Sequence, residues 1–246
     1  MKITTSQERD FVLAEFNEYL DSEGLMNDRP GKCAPSGNAL LFTAEAFLIQ
    51  LFLGVTRAYP VVAAAERLAS GRFVRPGWEQ DQEGPDDYIG LAAFSRHSDP
   101  TIAQRILAYG RSHFFKWGPL KFRYQYDTTG KAPNSVEAWF GRFPAVIAAL
   151  EWAAGETPPM WRRLWLALSA ALTPGAEGQD TWILSWLCLE CLRRTQMCWF
   201  ERWAIKTYMR RLYKYHPGGL KEVFTQYFGS DKHPITKYVN QISMLF

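Results

Sequence analysis

The sequence predicts an all-α protein assembled from helical hairpins, and three observations carry that class. Apolar residues recur at helical spacing through most of the chain, capping phrases and Gly or Pro stops alternate at short intervals, and a single stretch alternates polar with aromatic residues as a strand does. At 246 residues and 47% hydrophobic, the chain can bury a substantial core without staples, which fits one domain spanning 1–246.

The elements follow from local chemistry. Thr5-Ser6-Gln7-Glu8 is a capping-box pattern ahead of Phe11, Val12, Phe16 and Leu20, predicting a first helix to about Asp21. A second helix begins near Ser36 and turns Leu40, Leu41, Ala44, Phe47, Leu48 and Leu51 inward; Pro60 opens a third that ends at Ser70-Gly71. Asp87 to Arg96 reads as helix, and Ser98-Asp99-Pro100 caps the next, which ends near Gly110. Lys121 to Asp127 is the extended segment, followed by the turn Thr128-Thr129-Gly130. Asn134-Ser135 caps a helix through Ala154, with Pro144 as kink or break and Gly155 as terminator. Thr157-Pro158 starts another that Thr173-Pro174-Gly175 closes. Asp180 to Tyr215 is too long for one ordinary helix and is expected to bend, and Pro217 to Phe228 and Pro234 to Leu245 supply the last two. Short connections between such helices favour antiparallel hairpins, which close into a ring or stack into a solenoid.

Composition removes several function classes. A net charge of +3 does not by itself imply a nucleic-acid partner. Met1 to Asp10 is polar, with no secretory signal pattern, so a cytoplasmic location is expected. Ala39 to Val55 is the longest apolar run, but Glu45 and Gln50 interrupt it and it falls short of the roughly 20 residues of a membrane span; a buried helix fits better. Cys188, Cys191 and Cys198 stack along one helical face, with Cys33 distant in sequence; among Leu, Trp and Met they read as small core residues rather than metal thiolates. His97, His113, His216 and His233 form no metal-ligand spacing, so no metal and no cofactor are expected.

The acidic loop Trp78 to Gly90 is where chemistry concentrates. Glu79, Asp81, Glu83, Asp86 and Asp87 lie close in sequence, and convergence in a cleft would raise at least one pKa, giving a proton donor beside an ionised neighbour. Glycoside cleavage needs such a pair, and Trp78 and Tyr88 offer a sugar platform. The competing reading is a solvated loop in which Asp86 or Asp87 caps a helix. Glu45, inside an apolar helix, is a partner carboxylate or a structural ion-pair member. Asp180, Tyr126 and Asp127 are further candidates for lining the same cleft.

A second feature competes with it. Arg193, Arg194, Arg202, Lys206, Arg210, Arg211 and Lys214 interleave with Trp199, Trp203, Tyr208, Tyr213 and Tyr215 against only Glu201. Basic side chains among aromatics bind nucleic acid or an acidic protein surface, and a helix with its apolar face inward and arginines outside gives the same pattern.

Asn38 to Glu45, Asp86 to Gly90, Trp139 to Pro144 and Asp180 to Leu187 resemble helix-start phrases of α/α-toroid proteins, including six-hairpin glycosidases and lyases and uncharacterised bacteriophage proteins. The resemblance implies a compact or incomplete toroid whose cleft is rimmed by helix-start loops. The leading expectation is a carbohydrate-acting hydrolase or lyase with Asp86, Asp87 and Glu45 as catalytic carboxylates. Trp78, Asp81, Tyr88, Tyr126, Asp127 and Asp180 would bind a glycan. The alternatives are a non-enzymatic virion or host-interaction protein on a toroid scaffold, with a protein partner or second copy bound, and a nucleic-acid-binding helical protein, the least favoured.

Overall fold

A computed structural model describes residues 5–31, 39–55, 66, 70–73, 85–112, 143–172 and 198–243. Among the described residues the protein is helical and contains no strand. The helices are α1 (Ser6–Asn17), α2 (Ala39–Leu53), α3 (Pro85–His97), α4 (Pro100–Ser112), α5 (Phe143–Ala153), α6 (Met160–Leu172), α7 (Trp199–Tyr215), α8 (Leu220–Phe228) and α9 (Pro234–Ser243). Most of the helix expected from Pro60, the extended segment at 121–127, and 134–142 and 180–197 lie outside the described residues.

Local chemistry sets the helix ends. At α1 the capping box is formed: the Glu8 N–H donates to Thr5 Oγ1 at 3.2 Å, and the Thr5 N–H donates to the Glu8 carboxylate at 3.3 Å. The helix ends at Asn17, short of the expected Asp21, because the Asp21 carboxylate accepts from the Glu23 and Leu25 N–H groups at 2.8 and 3.0 Å. Those bonds close a tight loop, aided by the Leu20–Met26 bridge. Burial raises the Asp21 carboxyl above its ordinary pKa, against the pull of these donors.

Glycine stops α2 and α5 in the same way. Gly54 and Gly155 take φ of 75° and 83°, and the following N–H groups of Val55 and Glu156 reach back to the Gln50 and Glu151 carbonyls at 2.9 and 2.8 Å. Asp99 caps α4 through the Thr101 N–H at 3.0 Å. Pro144 lies in the first turn of α5, where its missing N–H is no loss; the expected helical residues before it, 134–142, lie outside the described residues.

α2 is the axis of the core, with every residue from Ala39 to Gln50 buried. It packs on α3 and α9; α3 packs on α4 and α5, α5 on α6, and α6 on α7. The α2–α3 approach is close because residue 90 is Gly: a Cβ there would lie 3.1 Å from the Leu41 Cα. Arg96 of α3 and Gln104 of α4 donate to the Trp152 and Ala154 carbonyls, covering the C-terminus of α5.

His233, before α9, is buried between the rings of Tyr19 and Phe228. Its Nδ1 accepts the Ile235 N–H at 3.3 Å, so the proton sits on Nε2, which donates to the Asn27 carbonyl at 3.0 Å. Burial drives its pKa down to about 4, against the pull of the Asn27 carbonyl and Asp28. A folded-state pKa below the ordinary 6.5 gives stability that is full above pH 6.5 and lost as pH falls towards about 4. The loss over that window is expected to be about 3 kcal/mol. Denaturant titrations at pH 7 and pH 4 check this, because a His233→Gln variant should show a flatter pH dependence across that interval.

Candidate functional site

The acidic candidates divide by position. Trp78, Asp81, Tyr126, Asp127 and Asp180 lie outside the described residues. α3 begins at Pro85, which places Asp86 and Asp87 inside its first turn rather than on a loop before it. The Asp86 side chain is outside the described residues. Asp87 and Glu45 are both wholly buried, Asp87 one turn before Gly90 and Glu45 beside Ala44, on the two helices that meet at Gly90. Both carboxylates therefore stand on helices that meet at Gly90, and both are shielded from solvent. A glycan cannot reach a carboxylate so enclosed without a rearrangement of the packing around it.

Tyr88 requires a correction. A sugar platform must expose a ring face, yet Tyr88 is completely buried, with its hydroxyl accepting the Phe73 N–H at 3.1 Å. It is a core residue. At 100° per residue Tyr88 lies on the side of α3 opposite Gly90, where its hydroxyl meets the backbone of Phe73.

Other buried carboxylates hold helices together. Glu151 of α5 pairs with Arg162 of α6 and also faces Arg111 of α4 at 3.6 Å. The exposed Glu156, just past the end of α5, pairs with the same Arg111, which holds its carboxyl below the ordinary pKa. Glu201 of α7, 1% exposed, accepts two bonds from Arg163 of α6, each 2.8 Å, and one from the Cys198 N–H at 2.8 Å. Cys198 is thus the residue at which α7 begins, in an extended conformation; the rest of the stretch expected to bend, 180–197, lies outside the described residues. Among the described residues, no group of His, Cys, Asp and Glu is arranged to hold a metal ion, and no helix is long and apolar enough to cross a membrane.

The α6–α7 pair carries the other candidate. Arg163 meets Glu201 near both helix starts, and Arg211 donates to the Ala171 carbonyl near both ends, so the helices run side by side in the same direction. Ala167 and Ala171 of α6 pack on Phe200 and Ala204 of α7. Tyr208 and Leu212 complete the buried side of α7.

Its other side is basic and aromatic. At 100° per residue, Trp199, Arg202, Trp203, Lys206, Arg210, Tyr213 and Lys214 share one face, and all are exposed. Trp199 is 79% exposed and Trp203 49%. Glu201, the one acid of this stretch, points inward to Arg163. An amphipathic helix with arginines outside accounts for the cations but leaves two exposed Trp unexplained.

α6 contributes what the sequence did not flag. Trp161, Leu168 and Leu172 are 61%, 37% and 66% exposed and share the face turned away from α5 and α7. Because the helices are parallel and their contact faces are fixed by Ala167, Ala171, Phe200 and Ala204, the two outward stripes open to the same side of the pair. The spacing of seven and four was visible in the sequence, but α6 is apolar on its inner side as well. Which stripe is outward depends on its distant partners.

Comparison with protein families, with curated proteins and with solved structures finds no match for this chain.

Proposed function

We propose that this is a non-enzymatic interaction protein that docks an acidic protein partner on the outward face of α7. The observation that carries the proposal is the exposed row Arg202, Lys206, Arg210 and Lys214, set beside Trp199 and Trp203 with no acid on the same face. Exposed cations steer and orient an anionic partner, and desolvated Trp supplies the affinity. The scaffold reading is supported by the succession of contacts. α9, α2, α3, α5, α6 and α7 pack in turn, and the turn at 216–219 joins α7 to α8, which packs on α9. Such a circuit is what a compact toroid would produce. The carbohydrate-acting reading ranks second, since it needs Glu45 and Asp87 to meet a substrate and both are buried.

Tryptophan fluorescence during titration with poly-L-glutamate tests this. Wild-type protein is expected to bind, more weakly as salt rises. The Arg202→Glu/Arg210→Glu variant, changed only at exposed positions, is expected to bind about tenfold more weakly. Equal binding by the two proteins, or none by the wild type, would count against the proposal.

A further inference from the structure

We infer that the partner element seated on this surface is an amphipathic acidic helix lying along the α6–α7 pair; the inference rests on the interaction reading above. The surface has two unlike halves on one side. α6 presents an apolar stripe of Trp161, Leu168 and Leu172, and α7 presents the cationic ridge from Arg202 to Lys214 with two Trp at its start.

The ridge repeats every four residues, a rise of about 6 Å per step. Carboxylates at i and i+4 on a partner helix repeat at the same rise, so a row of Glu or Asp matches the row of cations. A neighbouring apolar stripe on that helix then covers Leu168 and Leu172. A single-stranded nucleic acid satisfies the cations and stacks on Trp, but its backbone leaves the leucines of α6 uncovered. The chemistry therefore favours one occupant, apolar along one edge and acidic along the next.

The surface is also held in place. The bidentate Arg163–Glu201 pair and the Arg211 bond to the Ala171 carbonyl fix the position of α6 against α7 on the side away from the partner. The apolar and cationic rows therefore keep their relative positions before any partner arrives, which lowers the ordering cost of docking.

The test is a fluorescence titration of the full chain with four probes. They are an 18-residue peptide with Leu at helical spacing flanked by Glu, a scramble of the same composition, an oligothymidine, and phosphatidylserine vesicles. The patterned peptide is expected to bind at least tenfold more tightly than its scramble. Leu168→Asp/Leu172→Asp and Arg202→Glu/Arg210→Glu are each expected to weaken it about tenfold. Equal binding of the scramble would overturn the helix while leaving acidic docking in place. Tighter binding of the oligothymidine or the vesicles would overturn it in favour of those ligands. Failure of every acidic probe, poly-L-glutamate included, would remove both this inference and the interaction reading beneath it.

Discussion

Gly71→Ala is expected to lower folding stability by about 3–5 kcal/mol, through two effects that add at one atom. Gly71 has φ of 85°, which side chains disfavour, and a Cβ there would come within 2.7 Å of the Arg105 carbonyl carbon on α4. The same junction holds a hydrogen-bond cluster. The Glu66 carboxylate takes the Gly71 N–H and three bonds from Arg105, at 2.9, 3.2 and 2.8 Å, so backbone displacement there also disturbs an ion pair. Gly54→Ala is the internal control. Gly54 has φ of 75° but open space where a Cβ would go, so it carries the backbone cost alone, about 1 kcal/mol. Chemical denaturation of the two variants separates clash from conformation. Similar losses for both would contradict the packing described at Arg105.

Glu201→Ala is expected to cost about 3–5 kcal/mol, because it removes one partner of a buried pair. Both carboxylate oxygens are engaged, by Arg163 and by the Cys198 N–H, and the Arg163 side chain is itself only 16% exposed. The deletion leaves that charge without its carboxylate and the start of α7 without an acceptor. Replacing both partners, as Glu201→Leu with Arg163→Met, should recover much of the loss, since an apolar pair avoids the desolvation of two charges. Denaturant midpoints decide the matter; a loss below about 1 kcal/mol for the single variant would mean that the pair contributes no more than a surface one.

Helix starts were the most legible part of the fold. Thr5 with Glu8, and Asp99 with Pro100, carry their mechanisms within a few residues, and Gly155 ends α5 by local backbone geometry. The end of α1 was less legible, because the Asp21 side chain bonds to backbone groups ahead of it and competes with one more helical turn. The site was harder to see, since burial is a property of partners rather than of a residue's own neighbourhood. Asp87 and Tyr88 sit in a polar, aromatic phrase that reads as a rim, yet both are wholly buried: Asp87 lies one turn before Gly90, where α3 approaches α2, and Tyr88 on the other side of α3 bonds to the Phe73 backbone. The basic–aromatic stretch was legible as a composition. Its division into an inward set with Glu201, Tyr208 and Arg211 and an outward set with Trp199, Trp203 and the cationic ridge depended on where α6 lies.

The proposed working surface is the outward side of α6 and α7 rather than the buried carboxylates of α2 and α3. It is tested most directly by titrating the patterned acidic peptide into wild-type protein, Arg202→Glu/Arg210→Glu and Asp87→Asn side by side, with each variant's melting curve as a check on folding. The predicted result is binding weakened about tenfold in the α7 variant and unchanged in folded Asp87→Asn. Unaltered binding in the α7 variant, or a glycan-cleaving activity that folded Asp87→Asn loses, would contradict it.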